Sequence, residues 1–129
     1  MAGPEVLNEL ARQAVDSAIA VHSALGPGLL ESTHQACLAH ELRKRGLEVK
    51  IQVGLPVVYD GVRLELGYRI DILIAESVIL EIKSIDAIAP IHRAQLLSYL
   101  RLSGCRLGLL MNFNVPLMKD GIVRMVNGL

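Results

Sequence analysis

This 129-residue chain has no tryptophan, a single phenylalanine and three tyrosines. Aliphatic side chains must therefore fill its interior, and few rings are left to grip a ligand. No apolar run approaches the ~20 residues of a membrane span, so no membrane partner is expected although 52% of the residues are hydrophobic. A secretory leader is not apparent in residues 1 to 20, where Glu5, Asn8, Glu9, Arg12 and Gln13 interrupt the apolar pattern; the expected location is cytoplasmic. Cysteine is scarce, and Cys37 and Cys105 lack metal-ligand spacing to another Cys or His pair, which predicts buried thiols. An excess of either charge is also missing. Lys plus Arg and Asp plus Glu number 13 each, so no global field draws the chain to a polyanion, and any nucleic-acid contact must be local. The densest basic cluster, Arg43 to Arg45, precedes Gly46, where cations suit a helix C-terminus.

What is present is enough for one compact domain over residues 1–129. Apolar residues recur with helical spacing from Pro4 to Leu25, and Gly26-Pro27-Gly28 ends that stretch. A second helix is expected over about Leu30 to Arg45. After Gly46 the pattern becomes β-rich: Val49 to Tyr59, Val62 to Ile74 and Val78 to Lys83, with Asp60-Gly61 as a hairpin turn. Pro56 points to an edge strand, and Gly67 marks an interruption or bulge. Pro90 opens a third helix, Ile91 to Ser103, followed by strands Arg106 to Phe113 and Ile122 to Val126. The order ααβββαββ predicts an α/β sandwich with a mixed central β-sheet flanked by helices.

Three charged residues stand in the most apolar part of that sheet. Asp71, Glu81 and Lys83 lie within Gly67 to Lys83, and side-chain alternation puts Glu81 and Lys83 on one face, roughly 7 Å apart along the strand. If Ala75, Glu76 and Ser77 form the turn, Ile74 pairs with Val78 and Asp71 falls opposite Glu81, about 5 Å away at Cβ. A two-residue turn at Glu76 and Ser77 would instead pair Glu81 with Ile72 and send Asp71 to the other face. Opposed carboxylates destabilise a bare sheet, and a divalent cation would remove the conflict. An ordinary solvated sheet face is the competing reading.

Glu31 and His34 share a helical face at a spacing of three, which equally fits helix capping and solvation. His92, Gln95 and Tyr99 form a polar stripe on the third helix beside Leu96 and Leu100. That helix begins about seven residues after Lys83, close enough for its start to lie beside the strand. His22, His40 and His92 form no ligand motif.

Taken together, Gly26-Pro-Gly-Leu-Leu-Glu-Ser-Thr-His34, Gly67-Tyr-Arg-Ile-Asp71, Glu81-Ile-Lys83, Gln95-Leu-Leu-Ser-Tyr99 and Gly108-Leu-Leu-Met-Asn-Phe113 resemble the GxxExxY family of the PD-(D/E)xK nuclease-like superfamily. The likeness runs over nearly the whole chain. It implies a restriction-endonuclease-like fold with Asp71, Glu81 and the main-chain carbonyl of Ile82 as ligands for Mg²⁺, or Mn²⁺ in its place. It further implies Lys83 as the residue that orients or activates the attacking water, with Glu31 and Gln95 at catalytic auxiliary positions and His34 and Tyr99 as further auxiliaries. His34 stands where the family motif ends in tyrosine, which changes the charge behaviour there near neutral pH.

Two functions follow from this reading. One is Mg²⁺-dependent hydrolysis of phosphodiester bonds in DNA or RNA; the other is a catalytically silent nuclease-fold module in nucleic-acid or protein interaction. A third, hydrolysis of another phosphate-bearing substrate, shares the same ligands. A homodimer is expected without any residue that specifies it.

Overall fold

Apolar side chains at three- and four-residue intervals build helix α1, Pro4–Leu25, whose buried stripe of Leu7, Ala11, Ala14, Ala18 and Val21 faces the rest of the molecule. The computed structural model describes residues 2–129. Helix α2, Glu31–Lys44, packs beside α1 and buries Leu38, Ala39 and Leu42. Its C-terminal basic cluster is committed locally: Lys44 and Arg45 pair with Glu41, and Arg43 donates to the Val49 carbonyl at 3.0 Å.

The β-rich half forms a five-stranded sheet of β1 (Val49–Gly54), β4 (Arg69–Ile74), β5 (Val78–Lys83), β6 (Leu107–Asn112) and β7 (Ile122–Val126), in the spatial order β1-β4-β5-β6-β7. Only β5 and β6 run parallel, joined by helix α3, Pro90–Ser103; the other neighbours are antiparallel, so the sheet is mixed. β2 (Val57–Tyr59) and β3 (Val62–Leu64) make a separate two-stranded arm. Its tip is the expected Asp60-Gly61 turn, with both residues at positive φ, 54° and 73°. Each of the two longest β-rich segments is thus split in two. Leu55 and Pro56 separate β1 from β2, and residues 65 to 68, with Gly67 at φ 83°, separate β3 from β4. β1 is indeed an edge strand. A 3₁₀ turn, Met118–Gly121, precedes β7.

Alternation along β5 divides the core. Val78, Leu80 and Ile82 join the cluster under α1 and α2, while Ile79 joins Leu73, Leu96, Tyr99, Leu100 and Leu110 under α3. Gly108 lets α3 approach the sheet closely, since a Cβ there would lie 3.0 Å from Leu96 Cδ1 and 3.3 Å from the Ile79 carbonyl. Glu81 therefore occupies a position on the α3 face where the pattern calls for an apolar side chain. The two cysteines are free and half-buried, less enclosed than their surroundings in sequence predicted. No helix among the described residues is long and apolar enough to cross a membrane.

Candidate active site

The β4–β5 ladder pairs Ile74 with Val78, Leu73 with Ile79 and Ile72 with Leu80. This is the register obtained when residues 75 to 77 form the turn. One step further the strands part and the carboxylates fill the fork. Glu81 Oε1 accepts the Asp71 N–H at 3.1 Å, and Asp71 Oδ2 accepts the Ile82 N–H at 2.8 Å. Each acid replaces a strand carbonyl as the acceptor for an amide the fork has released, which satisfies the backbone.

The electrostatic conflict remains. Glu81 is 4% exposed, and its carboxyl is pushed up to about 8 by burial first and by the charge of Asp71 next. A direct carboxyl–carboxyl contact adds to this, and together these outweigh the Asp71 N–H and the attraction of Lys83. At neutral pH the fork holds a proton where it could hold a cation. Lys83, on the same side of β5, is half-buried and makes no ion pair within 4.0 Å among the described residues.

The sequence model of the PD-(D/E)XK nuclease superfamily matches residues 8–125. The chain belongs to that superfamily. No curated protein and no solved structure matches it. The mixed five-stranded sheet flanked by helices agrees with the restriction-endonuclease-like architecture of PD-(D/E)XK proteins. PD-(D/E)XK nucleases generally depend on a divalent metal, so the donor set here must be compared with that need. Two carboxylates and the Ile82 carbonyl are hard oxygen donors, and two crowded acids, Glu81 buried and Asp71 half-buried, fit an ion that keeps several waters. No group of three or more His, Cys, Asp or Glu occurs among the described residues. An ion held here would have two acids and main chain as its protein donors.

The remaining candidates divide. Tyr99 is 6% exposed, accepts a hydrogen bond from Gln95 Nε2 at 3.2 Å, and has its phenol pushed up by burial and then by the charge of Glu81, with Asp71 contributing less. α3 thus sets Tyr99, held by Gln95, within electrostatic reach of the acidic fork, and Tyr99 is enclosed where a polar stripe usually faces water. Glu31 opens α2 in the exposed state. It lies at the same end of the sheet, because Ser84 Oγ donates to the Leu29 carbonyl at 2.9 Å, yet it touches neither carboxylate. His34 is separated from Glu31 by burial. Its ring is fully enclosed, stacks on Phe113 with centroids 4.5 Å apart, and directs Nε2 at the Gly26 carbonyl, 3.1 Å away. It reaches none of Asp71, Glu81 or Lys83.

Two further polar residues shape the site, and neither stands out in the sequence. Gln52 falls opposite Asp71 in the β1–β4 register, where the pairing skips a step. Its backbone takes φ 51° inside a strand, a costly conformation for a residue with a side chain. Its amide bridges Gln35 Oε1 at 2.8 Å and Asp71 Oδ1 at 3.4 Å. Asn112, 2% exposed and level with Lys83 in the parallel pair, binds both the N–H and the carbonyl of Ile85 at 3.1 and 2.9 Å. That clamp fixes how the chain leaves Lys83 for α3.

Proposed function

We propose that the chain is a Mg²⁺-dependent phosphodiester hydrolase acting on DNA or RNA, in the GxxExxY branch of its superfamily and at work in the cytoplasm. One observation carries the reading: two carboxylates converge in a strand fork where burial and mutual repulsion favour a cation, with an unpaired lysine two residues along the same strand. Asp71, Glu81 and the Ile82 carbonyl would hold the ion, and Mn²⁺ would substitute. A bound Mg²⁺ supplies neutralisation of the phosphodiester charge and a lowered pKa for a coordinated water. Lys83, with no competing anion within 4.0 Å, orients the attacking water and steadies the negative charge developing on the phosphoryl oxygens. Tyr99, held by Gln95, walls the fork on the α3 side and keeps bulk water from screening that charge. Glu31, exposed at the start of α2, is the acid available to a substrate entering from that side.

The two unpaired thiols accord with a reducing compartment. A second reading, a scaffold without turnover, draws on the fork's ability to satisfy its own amides without any ion. Plasmid and structured-RNA cleavage with Mg²⁺ separates the two. Wild type should cut while Lys83→Ala, which leaves both acids in place, loses at least about 100-fold in rate. Equal cleavage by wild type and Lys83→Ala would remove the proposed role of the lysine, and no cleavage by wild type would favour the silent scaffold.

A further inference from the structure

The chain has only three tyrosines, and all three lie on the arm or on the α3 side of the sheet. Tyr68 precedes β4 and is 46% exposed; its ring meets Tyr99 edge-on, with centroids 6.2 Å apart at 69°. Between this pair and α3 is a cleft of about 250 Å³ lined by Val57, Tyr68, Gln95, Ser98, Tyr99 and Leu102. That is smaller than the roughly 300–1,000 Å³ of common small-molecule sites, so it suits a flat fragment and not a whole cofactor. Its lining is aromatic and aliphatic apart from Gln95 and Ser98. Gln95 spends its amide nitrogen on Tyr99 and keeps its carbonyl oxygen, while the Ser98 hydroxyl is exposed on the same helix. Tyr68 stands three residues before Asp71, and Tyr99 packs in the cluster that holds Ile70 and Leu73 of β4, so the cleft opens beside the strand that carries the fork. On β2, Tyr59 follows Val57 on the same strand face and is 74% exposed, a second ring beyond the cleft.

We propose that this cleft holds one unpaired nucleobase of a single-stranded nucleic acid, placing the adjoining backbone phosphate at the Asp71–Glu81 fork. The inference rests on the hydrolase reading for the identity of the neighbouring site. The chemistry of the cleft supports it independently: a base presents its face to a ring only when unstacked, and its edge needs an acceptor and a hydroxyl of the kind Gln95 and Ser98 offer. With no net charge on the chain, such stacking must supply a large part of the grip, because long-range attraction to phosphates is weak.

The experiment is fluorescence anisotropy with fluorescein-labelled oligothymidylate, oligouridylate and a DNA duplex, in EDTA so that nothing is cut. Single strands should bind more tightly than the duplex. Tyr68→Ala should weaken single-strand binding about 10-fold, Tyr68→Phe should restore it, and Ser98→Leu, which fills the cleft from an exposed helix position, should weaken it without lowering the melting temperature. Equal affinity for duplex and single strand, with Tyr68→Ala unchanged, overturns the base cleft even if Mg²⁺-dependent cleavage is observed. Sedimentation showing a dimer that dissociates in Tyr68→Ala, with no oligonucleotide bound, also overturns it by assigning the surface to a second copy. If Mg²⁺ has no effect on the protein but Tyr68-dependent binding persists, the hydrolase reading falls and the base cleft is supported on its own.

Discussion

At its turn the β4–β5 hairpin pairs Ile74 with Val78 and buries both completely, whereas at its open end the same two strands part around Asp71 and Glu81. The closed end is held by regular ladders to the neighbouring strands on both sides and is surrounded by aliphatic side chains. The fork spends two amides on carboxylates and leaves those acids crowded, with Glu81 enclosed and Asp71 half-buried. One hairpin thus contains an end built for stability and an end where two acids are crowded at the expense of stability. The trade is affordable because the neighbouring ladder positions on both faces are fully packed.

Breaking the closed end should do the larger damage to the fold. Ile74, at the turn, is fully buried in the cluster under α1 and α2, and Ile74→Ala should cost about 2–5 kcal/mol in denaturant unfolding. The fork is sharpened by pH. Glu81 titrates at about 8 in the native state against an ordinary 4.5, so between those values the folded protein holds a proton that the unfolded chain has lost. Stability therefore falls as pH rises through this window, by at most about 1.4 kcal/mol per pH unit from this group, and levels off above pH 8. Glu81→Gln should flatten that slope in melts taken from pH 5 to 8; an unchanged slope would mean that Glu81 is not the group responsible. The smallest effect on the fold belongs to Gln52, which is exposed. Gln52→Ala should change stability by less than about 1 kcal/mol yet weaken Mg²⁺ binding by about 10-fold, because it frees the Asp71 carboxylate that the amide helps to hold. Matching losses in stability and affinity would make Gln52 a purely structural residue.

These contrasts explain what could be read from residues alone. The register followed from one choice of turn, because a hairpin with period-two alternation fixes every later pair once Ile74 is set against Val78. The helices were visible in the spacing of Leu7 to Val21 and in the Pro and Gly residues at their ends. The breaks at Leu55-Pro56 and around Gly67 were signalled by the residues themselves, but not their consequence, a detached arm. Hydrogen bonding at the fork was hidden, since no pattern of residue types says that a carboxylate will displace a strand carbonyl. Gln52 was hidden for a similar reason. A lone glutamine in an apolar segment carries no mark of a positive φ, and its partner Gln35 lies on a different element. His34 shows the limit of helical spacing: three residues from Glu31 placed the two on one face, yet the exposed end of α2 leaves Glu31 in water while the next turn drives His34 under Phe113.

The claim that the fork is made to exchange a proton for a cation is tested most directly by isothermal calorimetry of Mg²⁺ and Mn²⁺ binding near pH 7, repeated in buffers of different ionisation heat. The account predicts saturable binding accompanied by release of a proton, with both lost in Glu81→Gln. Absence of binding, or binding that releases no proton and is indifferent to Glu81→Gln, would contradict it.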